Sequence, residues 1–230
     1  MREVLNASDY PYAQDDYQKE FKKLLIQIIC CYKMMLNDNI ELADDEEKIR
    51  DRLLYAYLKN NVVRKKIELT DFLFDKEVPE DKSSGRTDIK IQTQNTFEDT
   101  KAYYIIECKR LNNQNLTGIS GLNSEYVKNG ICRFVYDFYS SYFGINGMVG
   151  FVVDNLDIDN NITNLNSLLN KDLIDDKGKI VNAMPLQEIK PIQLNEDFKY
   201  SYISIHQTTS QNEITLYHLM FDFSKNIACT

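Results

Sequence analysis

The sequence lacks the features that mark membrane-spanning and exported chains. No apolar run approaches the roughly 20 residues that a membrane-spanning helix needs. The longest run, residues 24–31, is interrupted by Gln27 and lies in a helical pattern. The N-terminus, Met-Arg-Glu-Val-Leu-Asn, has no uninterrupted apolar core of the kind that a signal peptide carries. These absences predict a protein that does not enter a membrane, and the cytoplasm is its expected location.

Motifs for structural zinc and for nucleoside triphosphates are absent as well. No two cysteines have the Cys-x-x-Cys spacing, which makes a structural zinc site improbable. The odd number of cysteines and their apolar neighbours indicate free, buried thiols at Cys30, Cys31, Cys108, Cys132 and Cys229. No Gly-x-x-x-x-Gly-Lys-Ser/Thr sequence occurs, so any ATP-driven translocation would come from another protein.

Positive charge is scarce, with 27 Lys and Arg against 35 Asp and Glu and a net charge of −8. This balance argues against a protein that coats nucleic acid, because phosphate contacts come from clustered Lys and Arg. Basic residues do cluster locally at residues 64–66 and again at Lys109 and Arg110. The charge therefore predicts either a weak intrinsic affinity for DNA or a partner subunit that delivers the DNA.

With 230 residues, the chain is long enough for one domain with a substantial core. Its hydrophobic content of 43% and charged content of 27% are typical of a globular protein. Apolar residues at helical spacing predict an N-terminal helix over residues 14–36, preceded by an irregular arm. We divide the chain into an N-terminal arm and helix packed on the core, residues 1–43, and a main domain, residues 44–230.

Two strands are predicted within residues 85–111. Ile89 and Ile91 alternate with polar neighbours, and residues 103–106 form a short apolar run of the kind that is buried on both faces. If these strands form an antiparallel hairpin, an aspartate of the first strand, Asp88, comes close to the end of the second.

The end of the second strand carries charge in an apolar setting. Glu107 and Lys109 are two residues apart and share one face, while Cys108 points to the other face. Half-buried charges are costly unless they pair or bind a metal. The pattern therefore predicts that two acids, Asp88 and Glu107, converge with Lys109 at one point.

Asp88, followed after eighteen residues by Glu107-Cys108-Lys109, resembles the PD-(D/E)xK motif of the restriction-endonuclease-like nuclease superfamily. Thr87 stands in place of the proline, a departure that many members share. The resemblance covers roughly residues 44–154. It implies an α/β (α+β) fold, with a mixed central β-sheet flanked by helices and a core order of helix, three strands, helix, strand. The N-terminal helix and a C-terminal β-hairpin, residues 200–223, would be additions to that core.

The resemblance also implies a metal site. Asp88 and Glu107 would hold Mg²⁺, for which Mn²⁺ could substitute, and Lys109 would position or activate the attacking water. The backbone carbonyl of Cys108 is expected as a further ligand, and a set of oxygen ligands fits hard cations rather than zinc. Glu46 completes the expected catalytic and metal-binding set.

Glu46 is selected because the helix before the three strands often supplies another glutamate in this superfamily. Glu46 lies three residues before Ile49 and seven before Leu53, on the buried face of the predicted helix, whereas Glu47 shares its phase with Leu54. The alternative is that both glutamates only cap the helix.

Two further sets of residues are left with open alternatives, and one further turn is predicted. On a predicted helix over residues 124–142, Lys128 or Arg133 either contacts a phosphate or lies on a solvated face. His206 and His218, in the predicted C-terminal hairpin, either reach the active site or form hydrogen bonds near the sheet surface. Asn146-Gly147 is expected to form a turn before a buried strand over residues 148–153.

The expected function is that of a Mg²⁺-dependent endonuclease that hydrolyses phosphodiester bonds of DNA, with a restriction-like role in bacterial or phage defence suggested by the resemblance. A homodimer is expected because cutting both strands usually needs two active sites. Two alternatives stay open: a non-catalytic nucleic-acid-binding or assembly module of the same fold, and a nuclease that acts on RNA or branched DNA.

Overall fold

The computed structural model describes residues 13–79, 86–139 and 142–228. Residues 81–85, whose sequence Asp-Lys-Ser-Ser-Gly predicts a hairpin turn before the Asp88 strand, lie outside these ranges. So do Cys229 and all but the last residue of the predicted arm. In the described ranges a mixed sheet of seven strands is flanked by helices. The helices are α1 (Ala13–Asn37), α2 (Glu46–Leu53), α3 (Asn61–Lys66), α4 (Leu122–Tyr126), α5 (Cys132–Val135) and α6 (Ile158–Leu169).

Two π-helical turns extend these helices: Leu54–Leu58 continues α2, and Val127–Ile131 joins α4 to α5. The strands are β1 (Leu73–Pro79), β2 (Arg86–Gln92), β3 (Tyr103–Leu111), β4 (Ile145–Val152), β5 (Leu173–Ile174), β6 (Ile180–Val181), β7 (Pro185–Pro191), β8 (Ser201–Gln207) and β9 (Glu213–Asp222).

The seven-stranded sheet has the order β1-β2-β3-β4-β9-β8-β7. β4 is parallel to both of its neighbours, β3 and β9, and every other neighbouring pair is antiparallel. β5 and β6 form a separate antiparallel pair. The predicted C-terminal hairpin is confirmed as β8 and β9, and it extends the central sheet because β9 lies beside β4.

Helices cover the sheet on both faces and enclose two cores. α1 and α2 pack on one face, where they meet Tyr104, Ile106 and Cys108 of β3. α4, α5 and α6 pack on the other face, against Tyr103 and Ile105 of the same strand. β3 is therefore buried on both sides, as its apolar run predicts.

The predicted N-terminal helix is confirmed as α1, with ends one residue beyond the predicted ones. Its apolar side chains are buried because they fall on one face at helical spacing. Phe21 stacks on Tyr104 with ring centroids 4.6 Å apart, and Tyr32 stacks on Phe221 at 4.3 Å. These tyrosines pack in the core, as the sequence indicates for most tyrosines of the chain.

The predicted turn at Asn146-Gly147 is wrong, because both residues lie inside β4. Asn146 is fully buried, and its Oδ1 accepts a hydrogen bond of 3.0 Å from the backbone N–H of Ile105. A Cβ atom at Gly147 would lie 3.1 Å from the Phe21 ring and 3.2 Å from Ile106. Asn146 therefore forms a buried hydrogen bond, and Gly147 leaves room for α1 to pack closely.

The helix predicted to reach residue 142 ends at Val135. Asp137, two residues later, has φ 54°, in the left-handed region that ends helices. Four of the cysteines, Cys30, Cys31, Cys108 and Cys132, are free thiols, and only Cys30 is not fully buried. Among the described residues, no helix is both long and apolar enough to cross a lipid bilayer.

Candidate active site

The candidate site lies where β2 and β3 separate. The two strands pair in antiparallel fashion from Gln92 and Tyr103 to Ile89 and Ile106. Beyond that pair β2 stays with β1, and β3 continues to Leu111 beside β4. Asp88 and Glu107 are the first residues past the last pair, one on each strand. The predicted hairpin is thus present and brings the two acids together.

Two carboxylates accept the backbone hydrogen bonds of β3 beyond the point where β2 stops pairing with it. The backbone N–H of Cys108 donates to Oδ2 of Asp88 at 2.7 Å, and that of Arg110 donates to Oε2 of Glu46 at 3.0 Å. Buried backbone donors need partners. Asp88 and Glu46 therefore take the place of strand neighbours at two successive outward-facing amides.

The ammonium of Lys109 lies at the centre of the predicted oxygen set. Its Nζ is 3.0 Å from Oε1 of Glu46, 3.0 Å from Oε1 of Glu107 and 3.9 Å from Oδ2 of Asp88. It also donates to the backbone carbonyl of Cys108 at 2.8 Å. All four groups that the sequence predicts as metal ligands thus surround one cation.

Of the two candidate glutamates, Glu46 joins this cluster and Glu47 stays exposed. Asp45 caps the N-terminus of α2 by accepting from the backbone N–H of Lys48 at 3.1 Å, so α2 begins at Glu46. Ile49 is buried on the same helix face. The phase of the apolar stripe therefore selected the glutamate that faces the sheet.

Arg50 is a central residue of the site that the sequence analysis missed. It is 3% exposed and donates to Oδ1 of Asp88 at 2.8 Å and to Oε1 of Glu77 at 3.0 Å. The register of β1 and β2 sets Glu77 opposite Asp88, and Arg50 neutralises this pair of like charges. Its position four residues after Glu46, on the same face of α2, was the available signal.

Arg133 and Tyr139 hold the carboxylate of Glu107. Arg133 Nη1 lies 2.7 Å from Oε1, and the Tyr139 hydroxyl donates to Oε2 at 2.7 Å. The other candidate phosphate contact, Lys128, pairs with Glu125 at 2.8 Å. Tyr139 was missed because it lies beyond the end of α5, in a segment whose sequence predicted more helix.

The net effect of burial and the neighbouring charges is to raise the pKa values of both Glu107 and Lys109. Glu107 is 0% exposed, and burial together with the charge of Asp88 raises its pKa to about 7, although Lys109 and Arg133 oppose the shift. Burial alone would lower the pKa of Lys109, but the surrounding carboxylates outweigh it and raise that pKa. Lys109 is therefore a permanent cation at neutral pH, whereas Glu107 is poised to take up a proton.

The residues present fit a hard divalent cation in chemical type. Three carboxylates and one carbonyl supply only oxygen donors, the kind that Mg²⁺ prefers. Within the described ranges, no group of three or more His, Cys, Asp or Glu side chains is spaced to hold a metal directly. Here the ammonium of Lys109 lies among the carboxylates, so a metal would have to replace its contacts.

The two histidines lie away from this cluster, in a buried hydrogen-bonded chain on the opposite half of the sheet. Nδ1 of His206 faces the carbonyl of Ala183 at 2.7 Å, and its Nε2 faces the Ser204 hydroxyl at 2.7 Å. The same hydroxyl lies 2.7 Å from Nε2 of His218, whose Nδ1 is 2.8 Å from the Tyr126 hydroxyl. They are hydrogen-bonded, as one alternative held, but inside the core.

When both imidazoles are neutral, the backbone carbonyl of Ala183 fixes the position of every proton in this hydrogen-bonded series. Because Ala183 can only accept, His206 carries its proton on Nδ1 and accepts from Ser204 at Nε2. Ser204 then accepts from Nε2 of His218, whose Nδ1 accepts from Tyr126. Burial, which lowers the pKa of each ring, keeps both imidazoles neutral, and in this arrangement they are opposite tautomers.

We expect neither imidazole to titrate near pH 6.5 in the folded protein. Burial lowers the pKa of His206 to about 4 and that of His218 to about 3. Nitrogen-15 NMR should show one Nδ1–H and one Nε2–H tautomer, unchanged from pH 7.5 to 5.5. In denaturing urea both should titrate near pH 6.5. An imidazole that titrates there in the folded state would contradict the buried chain.

The same shifts predict how stability depends on pH. Each histidine has a folded-state pKa below its unfolded value, so the stabilisation is present above pH 6.5 and is lost as the pH falls. The loss is about 1.4 kcal/mol per pH unit for each. Glu107 acts in the opposite sense, because its folded-state pKa is raised. Urea unfolding of the wild type should therefore show a free energy of unfolding that falls by about 1.4 kcal/mol per pH unit between pH 6.5 and 4.5. In the Glu107→Gln variant, which lacks the opposing group, the fall should be about twice as steep.

Comparisons of the chain with models of protein families, with curated proteins and with solved structures gave no match. The function is therefore inferred from the geometry of the site and from the resemblance of Asp88 and Glu107-Cys108-Lys109 to the PD-(D/E)xK motif.

Proposed function

We propose that this protein is a metal-dependent endonuclease that hydrolyses phosphodiester bonds of DNA. One observation carries the proposal: Glu46, Asp88, Glu107 and the carbonyl of Cys108 all surround Lys109, although they come from α2, β2 and β3. The three N–H donors of this ammonium are directed at Glu46, Glu107 and the Cys108 carbonyl, and a third carboxylate, that of Asp88, lies 3.9 Å away.

The arrangement of the elements supports a restriction-endonuclease-like core. α2 and the short helix α3 are followed by three antiparallel strands, β1 to β3, then by the α4–α5 segment and by β4, which is parallel to β3. Apart from α3, this is the element order that the resemblance implies. The candidate residues lie at the start of that helix and where the second and third strands part.

Asp88, Glu107, Glu46 and the Cys108 carbonyl would hold Mg²⁺ or Mn²⁺. When bound, the metal would supply Lewis-acid activation of the scissile phosphate. Of the three carboxylate side chains, Glu46 is 30% exposed, Asp88 14% and Glu107 0%. The substrate would therefore approach from the side of Glu46 and Asp88, with Glu107 at the rear.

The other residues of the cluster act on charge and position. Lys109 keeps its proton and stabilises the negative charge that develops on the phosphate during hydrolysis. Arg50 orients Asp88, and Arg133 and Tyr139 orient Glu107, through hydrogen bonds of 2.7–2.8 Å. These three are positioning residues rather than catalytic ones.

One observation favours the second candidate, a binding or assembly module that cuts nothing. All six oxygens of Glu46, Asp88 and Glu107 already have a protein donor. Three bases, Lys109, Arg50 and Arg133, balance the three acids. A charge-balanced network of this kind can also serve to close the sheet where β2 and β3 part.

The proposal is tested with purified protein and supercoiled plasmid in Mg²⁺, in Mn²⁺ and in EDTA. We expect nicking or linearisation in either metal, none in EDTA, and none by the Asp88→Asn variant. Parallel assays on single-stranded DNA, branched DNA and RNA identify the substrate. Intact nucleic acid in every assay, from a protein that is folded by circular dichroism, would favour the binding module.

A comparison of Glu46→Gln with Glu47→Gln tests the role of α2. Glutamine keeps the size of the side chain and its hydrogen bond to Arg110 but removes the charge beside Lys109. We expect the first variant to lose about tenfold or more in cleavage rate, and the second, an exposed neighbour, to keep the wild-type rate. Equal rates in both variants would remove Glu46 from the site.

A role in bacterial or phage defence and a homodimer that cuts both strands are parts of this proposal that the resemblance suggests. Linear plasmid that forms without a nicked intermediate would support two coupled active sites. Sedimentation of the protein with and without DNA would measure the number of subunits.

A further inference from the structure

A cavity of about 250 Å³ lies beside Glu107. Arg133 and Tyr139 line this cavity, and the same two side chains bond to the Glu107 carboxylate at 2.7 Å each. The backbone carbonyl of Arg86, another lining residue, lies 3.1 Å from the Tyr139 hydroxyl oxygen. The cavity therefore shares a wall with the candidate active site.

The lining carries an excess of positive charge. Two carboxylates, Asp175 and Asp176, lie among four cationic residues: Arg86, Lys128, Arg133 and Lys177. Asp175 is occupied by the backbone N–H groups of Lys177 and Lys179 at 2.9 and 2.8 Å, and Asp176 by the Asn129 amide at 2.7 Å. Of the four cations, Lys128 pairs with Glu125 at 2.8 Å and Arg133 with Glu107 at 2.7 Å, so an anion in the cavity would share their remaining N–H donors.

Arg133 has donors left for such an anion. Its Nη1 makes both the contact with Glu107 and the one with Tyr139, and within the described part of the chain its Nε and Nη2 have no acceptor. The side chain is 34% exposed. A guanidinium edge with two donors matches the oxygens of a phosphate.

The cavity also has an aromatic wall. Phe138 is half-buried, and the Nζ atom of Lys177 lies over its ring, 4.7 Å from the centroid. Nucleic-acid bases stack on exposed aromatic rings whatever their sequence. The volume is slightly below the range of about 300–1,000 Å³ typical of sites for drug-sized ligands, so one nucleotide is the largest nucleic-acid unit that suits it.

We propose that this cavity takes a single nucleotide of the DNA strand, turned out of the base stack, with its base against Phe138 and its phosphate against Arg133 and Lys128. A paired base cannot enter a cavity of this size, because its partner and the second strand would have to follow. The inference rests on the proposed nuclease function. It adds that the active site binds DNA as a strand with one nucleotide locally unstacked.

The first test measures binding of 2′-deoxyadenosine 5′-monophosphate by NMR titration in EDTA, where no cleavage takes place. We expect saturable one-to-one binding, with shifts centred on the cavity. Phe138→Ala and Lys128→Gln should each weaken it about tenfold, and Lys65→Gln, an exposed lysine of α3, should leave it unchanged. Phe138→Leu keeps the apolar packing, so a similar loss in that variant excludes a folding defect.

Titrations with inorganic phosphate and with deoxyadenosine separate the two halves of the site. Both should bind more weakly than the nucleotide, phosphate through the cationic side and the nucleoside through Phe138. Absence of saturable nucleotide binding, or binding that Phe138→Ala and Lys128→Gln leave unchanged, would overturn the proposal.

The second test uses duplex DNA that contains 2-aminopurine, whose fluorescence rises when the base leaves the stack. Wild-type protein in EDTA should raise the fluorescence, and Phe138→Ala should not. Plasmid cleavage without such a rise would overturn the cavity proposal and leave the nuclease standing. Nucleotide binding that depends on Phe138, together with no cleavage in Mg²⁺ or Mn²⁺, would support the cavity and overturn the nuclease.

Discussion

Replacing Lys109 with methionine should lower the rate of plasmid cleavage by at least about 10²-fold, because it removes the cation that would stabilise the scissile phosphate in the proposed mechanism. Methionine keeps the length of the apolar stem, which packs near Gly130. The variant should also be less stable by roughly 3–5 kcal/mol, since removal of one partner leaves buried charge without compensation. Urea unfolding and the plasmid assay measure the two effects on the same preparation.

A second substitution separates the loss of stability from the loss of activity. Glu107 is completely buried and lies 3.0 Å from Lys109, so Glu107→Gln removes the most deeply buried carboxylate that loses a contact in Lys109→Met. Arg133 still pairs with Glu107 in Lys109→Met, so the double variant should regain only part of the stability and none of the cleavage. Lys66→Met, on the exposed side of α3, is the control and should change neither quantity. A Lys109→Met variant that cuts at the wild-type rate would remove Lys109 from the mechanism.

Replacing Arg50 with methionine should cost about 3–5 kcal/mol in the free energy of unfolding. Arg50 is 3% exposed and donates to three carboxylates, those of Asp51, Glu77 and Asp88. Without it, among the residues that the structure describes, Glu77 keeps only the contacts with Lys76 at 3.9 Å and Arg86 at 3.6 Å, and Asp88 keeps only Lys109 at 3.9 Å as a cationic neighbour. Asp88 would also lose the donor that orients its Oδ1, so cleavage should fall together with stability.

The control for this change lies two residues along the same helix. Arg52 is exposed, and Arg52→Met should shift the free energy of unfolding by no more than about 0.5 kcal/mol. Adding Glu77→Gln to Arg50→Met removes one of the opposed charges and should restore part of the stability. If Arg50→Met and Arg52→Met are equally stable, Arg50 does not hold the β1–β2 pair together.

The local sequence pattern was sufficient to predict the features that depend only on which face of a helix or strand a residue occupies. The alternation in β3 predicted that Glu107 and Lys109 share a side, and the apolar stripe of α2 preferred Glu46 to Glu47. The antiparallel β2–β3 hairpin, the helix α1 and the hairpin of β8 and β9 were likewise expected. Each of these follows from the fixed periods of helix and strand, which a chain shows without reference to distant residues.

Local pattern failed where a distant group overrode propensity. Asn146 and Gly147 form a common turn dipeptide, yet they are strand residues because one bonds to Ile105 and the other admits Phe21. The apolar residues after Val135 continue a helical pattern, but the chain turns at Asp137 and brings Tyr139 to Glu107. In both cases a tertiary contact outweighed a local preference.

The sequence by itself, through residue type, spacing, helix phase and the resemblance to the PD-(D/E)xK motif, selected the candidate site residues Asp88, Glu107, Lys109 and Glu46. Only the tertiary structure decided what surrounds them. It placed Arg50 on Asp88, set Arg133 and Tyr139 on Glu107, opened the adjoining cavity and kept both histidines in the core. The physical reason is that periodicity reports which face of an element is buried, whereas the partner on that face is set by the packing of segments far apart in the chain.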